Sequence, residues 1–146
     1  PGLFTDRSSP MPLAGAGDVA RNLVTRERLV LDARTPERYR GEQEPIDPVA
    51  GHIPGAINRP WQRNLEADQT FKSPQALRRE FETALGSTPP ARVIHQCGSG
   101  VTACHNILAM EIAGLAGSAL YAGSWSEWIA DPARPVATGE EDPARR

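Results

Sequence analysis

Six consecutive residues have the plainest chemical content. Cys97-Gly98-Ser99-Gly100-Val101-Thr102 sets a thiol at the head of a loop that also carries two glycines and two hydroxyls. The loop follows an apolar run and opens onto a stretch with helical spacing, so the pattern predicts strand, tight turn and helix in succession. Glycines at 98 and 100 are free to take positive φ and turn successive backbone N–H groups inward, and the mouth of a helix adds unpaired amides of its own. Such groups cradle an anion and make Cys97 a candidate nucleophile. No residue of the loop besides the cysteine is ionisable, so charge stabilisation falls to amides, to the Ser99 and Thr102 hydroxyls, and to arginine supplied from elsewhere. A sulfur atom carried on Cys97 as a persulfide anion would be held by the same donors.

The elements that must position this loop alternate between strand and helix. Residues Asp18–Leu23 place Val19 and Leu23 on one face of a short helix, and Leu29-Val30-Leu31 reads as a buried strand. Thr35-Pro36 has the form of a helix start, which Gly41 can end after one or two turns. Residues 42–51 are polar and contain two prolines, a loop by composition, and Ile53-Pro54-Gly55-Ala56 has the order of a type II turn. Ser73–Leu85 carries Ala76, Leu77, Phe81 and Leu85 at helical spacing, with Ser73 as cap and Gly86 after the end. Arg92–Gln96 is the strand that feeds the cysteine loop. The helix after it, from about Thr102, is predicted to bury Cys104, Ile107, Leu108, Ile112 and Leu115. Ala119–Ala122 reads as a last strand and Trp125–Ile129 as a short amphipathic helix. Alternation of this kind predicts an α/β fold, a doubly wound parallel sheet flanked by helices on both faces. The expected boundaries are a proline-rich lead-in over 1–12, one domain over 13–131 and a mobile tail over 132–146.

Composition excludes whole classes. The chain has 146 residues, 16 Lys+Arg against 18 Asp+Glu and a net charge of −2, so nothing draws it to nucleic acid or an anionic membrane. Apolar and charged fractions of 39% and 23% suit one globular domain rather than a disordered chain. No apolar run reaches membrane-spanning length and no signal-peptide pattern opens the chain, so a cytoplasmic setting is expected. The two cysteines, Cys97 and Cys104, match neither zinc nor C-x-x-C redox spacing, and no histidine has a second ligand at metal spacing; neither metal nor cofactor is expected. A Cys97–Cys104 disulfide stays open on spacing alone.

The loop Cys97–Thr102 resembles the active-site loop of the rhodanese superfamily, in the version found in 3-mercaptopyruvate and thiosulfate sulfurtransferases. Leu31-Asp32-Ala33-Arg34, Arg38-Tyr39-Arg40-Gly41, Gly51-His52-Ile53-Pro54-Gly55-Ala56-Ile57-Asn58 and Tyr121-Ala122-Gly123-Ser124-Trp125-Ser126-Glu127-Trp128 fall in the order that this family shows. The resemblance implies a ping-pong sulfurtransferase. Cys97 takes a sulfane sulfur from a small-molecule donor and passes it to a thiol or cyanide acceptor. It implies that Arg38 binds the donor's carboxylate, and that Gly98, Ser99, Gly100, Val101 and Thr102 form the active-site loop. It also implies a missing N-terminal rhodanese-like domain, since relatives are usually tandem with the active half second; the start at Pro1 without a methionine fits an excised piece. In mercaptopyruvate enzymes that first half supplies a His and an Asp to work with the loop serine. The neutral Gly98-Ser99 pair favours mercaptopyruvate. A second arginine expected after a Glu-Pro pair is absent, because Glu44-Pro45 runs on to Ile46-Asp47, and this keeps thiosulfate open.

Phosphatases on the same scaffold need an arginine six positions after the cysteine, where this chain has Ala103. A non-catalytic rhodanese-like carrier or binding module is the other alternative. For Arg38 the plain reading is a surface charge at a helix start, and for Cys104 an inert core thiol. His52 is expected to be a structural hydrogen-bonder, Asp32 and Arg34 to brace loops, and Trp125 and Trp128 to seal the core.

Overall fold

The computed structural model describes residues 11–141. Four short parallel strands form the sheet: β1 (Leu29–Asp32), β2 (Ile57–Asn58), β3 (Val93–Gln96) and β4 (Ala119–Leu120), in the order β2-β1-β3-β4. Alternate residues of β1 and β3 divide between two cores, as a pleated strand requires. Val30 and Ile94 join Val19, Tyr39, Ile53, Trp125 and Trp128 on one side, where α1 (Ala16–Thr25), α2 (Pro36–Arg40) and α5 (Ser124–Trp128) pack. Leu29, Leu31 and Val93 join Leu77, Phe81, Leu85, Ala109 and Met110 on the other, under α3 (Pro74–Leu85) and α4 (Ala103–Ile112). The first crossover leads from β1 outward to β2 and the last from β3 outward to β4. The crevice at the carboxyl ends of β1 and β3 is therefore the topological switch point, the place where such sheets keep their sites.

Local chemistry explains the clearest elements. Ser73 Oγ accepts from the Ala76 N–H at 3.1 Å, Pro74 opens α3, and Gly86 closes it with φ 60°. The Ile53–Ala56 turn has Gly55 at φ 85° and the Ala56 N–H donating to the Ile53 carbonyl at 3.0 Å, which is the expected type II pattern. α1 is longer than its apolar pair predicts because Asp18 accepts the Gly15 N–H, and the Asn22 side chain clamps both backbone groups of Arg28 after the helix ends.

One expectation is corrected, the buried face of α4. The buried stripe of α4 is Ala103, Asn106, Ile107, Ala109 and Met110, while Cys104 is exposed and Leu108 is 48% exposed. The rotation follows Asn106, whose amide accepts from Asn64 Nδ2 at 2.7 Å and donates to the Arg59 carbonyl at 2.9 Å, and a buried amide holding two partners fixes the helix face. Both cysteines are free thiols. The expected mobile tail is held as far as Glu141. His52 and Ala137 exchange two backbone hydrogen bonds, Trp128 Nε1 donates to the Pro135 carbonyl, and the Gly139 N–H donates to the Arg40 carbonyl. Of the lead-in, Pro12 accepts from the Leu120 N–H, which extends the edge of β4. Residues 1–10 and 142–146, the outer parts of the lead-in and tail, lie outside the described residues.

His95, in the middle of β3 with Leu31 and Leu120 as register partners, is fully buried, and neither ring nitrogen has a hydrogen-bond partner among the described residues. Burial drives its pKa down to about 3, so the ring is neutral in the folded protein across the ordinary range. An unfolded chain binds a proton at this histidine near its usual value of about 6.5 while the folded chain does not, so stability falls as pH drops below that value. The expected contribution is about 1 kcal/mol per pH unit between roughly 6.5 and 5, above the carboxylate range. Urea unfolding at stepped pH should therefore be flatter over this window in His95→Gln than in the native sequence; parallel curves would refute the assignment.

Candidate active site

The cysteine loop is held from outside by the start of α5. The Cys97 N–H donates to Ser124 Oγ at 3.0 Å, the Trp125 N–H to the Cys97 carbonyl at 2.9 Å and the Ser126 N–H to the Gly98 carbonyl at 3.0 Å. Ser124 is fully buried and adopts φ 56°, a conformation that a residue with a Cβ occupies only at a cost. Its hydroxyl also donates to the Tyr121 carbonyl at 2.9 Å, so the group is used in both directions.

Within the loop, the Gly100 N–H donates to Cys97 Sγ at 3.0 Å, so one inward-turned amide of the kind expected is aimed at the sulfur. Gly100 takes φ 96°, and a Cβ there would lie 2.5 Å from the Ala122 carbonyl oxygen. Gly98 does not adopt positive φ. Its lack of a side chain serves a close approach instead, because a Cβ would sit 3.3 Å from Arg38 Nη2. Ser99 and Val101 face solvent and Thr102 is half-buried; the Ser99 and Thr102 hydroxyls make no hydrogen bond among the described residues. Cys97 itself is buried against Ala33 and Ala103, so the position six residues after the sulfur holds a methyl group in the core.

Arg38 reaches the loop from α2 and is held by carboxylates. Its Nη2 lies 3.0 Å from Glu44 Oε2 and 3.3 Å from Asp47 Oδ2, and Nε donates to Glu44 Oε1 at 3.4 Å. Nη1 has no acceptor among the described residues. Burial alone would raise the Glu44 carboxyl, but the Asp47 and Ile46 amides and the Arg38 guanidinium outweigh it and keep the group below the usual carboxylate range. Behind this pair, Arg34 makes a paired contact to Asp32 at the end of β1, with Nη2–Oδ2 at 2.7 Å, and donates to the Gly51 carbonyl at 2.7 Å. Both are buried braces. His52 has its Nδ1 2.7 Å from the Tyr39 carbonyl, with its ring stacked on Tyr39, and its Nε2 2.8 Å from Glu141. Trp125 is buried and donates from Nε1 to the Val49 carbonyl, which ties the 42–51 loop to α5.

The cysteine loop and Arg38 line one small cleft of about 160 Å³, with Ile46, Asp47 and Ser126 also in its walls. A larger cavity of about 500 Å³ lies at the opposite end of the strands, against Leu23, Leu29, Pro54 and Leu85, and includes no part of the cysteine loop. The structure thus brings Arg38 to the loop from 59 positions upstream. It also places Glu44, Asp47, Ser124 and Ser126 at the site, which reasoning from spacing did not single out. Their only signal was position, in the Pro-rich loop and the Gly-Ser-Trp run. No group of three His, Cys, Asp or Glu suited to a metal occurs among the described residues.

The rhodanese-like domain, as a family, matches residues 16–131. The chain belongs to the rhodanese family. It is 48% identical over 140 residues to a Pseudomonas aeruginosa protein described as a probable 3-mercaptopyruvate sulfurtransferase, covering 96% of this chain and 49% of that protein. Identity to bovine thiosulfate sulfurtransferase is 37% over 133 residues, covering 88% and 44%. Among solved structures, Tum1 of Saccharomyces cerevisiae superposes with a TM-score of 0.75 at 26% identity, over 89% of this chain and 47% of that one. The rhodanese domain described here spans about half the length of the curated relatives it matches.

Ser124 is expected to be costly to lose in two separable ways. Ser124→Ala removes the acceptor of the Cys97 N–H and leaves a Cβ at positive φ, for a loss of about 2 kcal/mol in urea unfolding. Ser124→Gly removes the same hydroxyl but relieves the backbone, and should fall between Ala and the native residue. Equal stability of the Ala variant and the native chain would refute this account of the clasp.

Proposed function

We propose that this domain is a sulfurtransferase that moves a sulfane sulfur from 3-mercaptopyruvate or thiosulfate through a persulfide on Cys97 to a thiol or cyanide acceptor. The observation that carries the proposal is the Gly100 N–H on Cys97 Sγ at 3.0 Å, in a cleft whose other wall is Arg38. The names of the relatives, mercaptopyruvate and thiosulfate sulfurtransferases, support the same reading.

With thiosulfate, the Cys97 thiolate attacks the outer sulfur, the S–S bond breaks, and sulfite leaves with the electron pair, leaving a Cys97 persulfide anion. With 3-mercaptopyruvate the thiolate attacks the thiol sulfur and the C–S bond breaks. The pyruvate enolate leaves and takes up the displaced proton at carbon. In the second half the acceptor attacks the terminal sulfur and Cys97 departs as thiolate. Cys97 is the catalytic residue of this scheme. Gly98, Ser99, Gly100, Val101 and Thr102 form the wall around the bound sulfur, where inward amides stabilise its charge. Arg38 binds the donor, with Nη1 free for a carboxylate or sulfonate oxygen. No cofactor or metal takes part.

Mercaptopyruvate is the favoured donor. The two positions after Cys97 are Gly98 and Ser99, so the loop offers a dianion no basic side chain. Ser99 faces solvent, open to groups from a second domain, and the natural partner of this chain is taken to be an N-terminal rhodanese-like domain that completes the site. A cytoplasmic location suits a reduced nucleophilic thiol, and no helix among the described residues is long and apolar enough to cross a membrane.

Intact-mass spectrometry of the reduced, sulfur-free chain after brief exposure to each donor tests the proposal. One added sulfur atom is expected on the native chain and none on Cys97→Ser, with unchanged circular dichroism. Addition to the variant, or to Cys104 alone, would end the Cys97 persulfide mechanism. Arg38→Ala should raise the donor KM about tenfold or more if it removes one charge-assisted hydrogen bond; an unchanged KM would return Arg38 to a structural charge.

A further inference from the structure

We infer that Asp47 tunes the charge of the donor that reaches Cys97, disfavouring dianions relative to donors with a single negative charge. This deepens the sulfur-transfer reading above and rests on it.

Asp47 stands in the wall of the cleft beside Cys97 and Gly98, on the loop between α2 and the Ile53–Ala56 turn. It is fixed there rather than solvated: its side chain is 10% exposed, Oδ2 lies 3.3 Å from Arg38 Nη2, and Oδ1 accepts the Ser126 hydroxyl at 2.9 Å. Ser126 in turn donates its N–H to the Gly98 carbonyl. The carboxylate is therefore tied to the nucleophile loop through one residue on one side and to the donor-binding arginine on the other.

The charges facing the cleft do not balance. Among the described residues Arg38 is the only cation in its walls and Asp47 the only carboxylate, while Glu44 holds Arg38 from behind the wall. Glu44 is ionised, since two amides and Arg38 hold its carboxyl below the usual range. Arg34 is committed to Asp32 at 2.7 Å and to Glu44 at 3.5 Å, and the loop from Gly98 to Thr102 carries no charge. The connected set Asp32, Arg34, Glu44, Arg38 and Asp47 has two cations and three anions and sums to −1. Loop amides and the free Nη1 of Arg38 can meet one negative charge; a second finds no cation and an adjacent carboxylate. At a separation of about 6 Å and an effective dielectric of about 40, each unit of donor charge costs about tenfold in binding to the transition state. Thiosulfate, with two charges, is penalised about tenfold relative to 3-mercaptopyruvate, with one.

Two measurements on Asp47→Asn, an isosteric change, test this, and the first of them requires no turnover. The first is alkylation of Cys97 by anionic iodoacetate relative to neutral iodoacetamide, read on the Cys97 peptide so that Cys104 does not contribute. The iodoacetate-to-iodoacetamide ratio should rise about tenfold at low salt in Asp47→Asn, and should stay near the native ratio in Asp47→Glu. The second is the kcat/KM ratio for thiosulfate over 3-mercaptopyruvate, expected to rise by a similar factor. General damage to the site lowers all rates together and leaves both ratios unmoved, and unmoved ratios overturn the proposal. A shifted alkylation ratio in a chain that forms no persulfide from either donor would keep the charge role of Asp47 and refute sulfur transfer by this domain on its own.

Discussion

Everything at the site depends on a backbone clasp between two short segments far apart in sequence. Residues 97–98 and 124–126 exchange three hydrogen bonds, and two of them are made by the main-chain N–H groups of α5. Each contributes about 0.5–1.5 kcal/mol net, but an unmade one would leave a buried polar group that costs as much or more. The clasp also decides geometry. By taking the Cys97 N–H, Ser124 removes it from the set of amides available to the sulfur and leaves the Gly100 N–H as the group aimed at Sγ. The positive φ of Ser124 is the backbone strain accepted for that arrangement, and Trp125 and Trp128 buried beside it supply the packing that holds it in place.

A second chain of contacts carries charge from the sheet to the cleft. Asp32 ends β1 and anchors Arg34, Arg34 reaches Glu44, and Glu44 holds Arg38 over Gly98. Buried ion pairs of this kind repay desolvation poorly, so their value here is positional. The 42–51 loop has no regular structure of its own. It is ordered by this chain, by Trp125 Nε1 on the Val49 carbonyl and by Ser126 on Asp47. A loop so tied presents its carboxylates at fixed points, as the proposed action of Asp47 on a donor requires.

Much of the scaffold was legible locally. The strand, glycine loop and helix around Cys97, the capped α3 and the Pro54-Gly55 turn each carry their instructions within a few residues, in cap, turn and apolar spacing. What was illegible depended on partners distant in sequence. α4 is apolar nearly all round, so spacing alone could not choose its buried face. Asn106 chose it by bonding Asn64 and the Arg59 carbonyl, and that turned Cys104 and Leu108 outward. The tail looked mobile by its prolines and charges, yet His52 and Trp128 offer it backbone and side-chain partners. Gly98 and Gly100 look alike in the sequence but serve different needs, close approach of a guanidinium at one and left-handed backbone at the other.

On the sulfur-transfer reading proposed above, the site combines two ways of handling negative charge, and they differ in what they recognise. Backbone amides respond to charge at the sulfur and are blind to the rest of the donor, because they are fixed to the loop that carries the nucleophile. Side chains at the cleft wall respond to the remainder of the molecule, where a carboxylate and a sulfonate part company. A loop with basic residues would merge the two functions and reward any anion near Cys97. On the same reading, a neutral loop with Arg38 set among Glu44 and Asp47 separates them, so that stabilisation of a persulfide would be retained while the choice of donor would pass to residues of the 42–51 loop. Substitutions in that loop can then retune the donor without disturbing the clasp, since Asp47 meets it only through the Ser126 hydroxyl and not through its backbone.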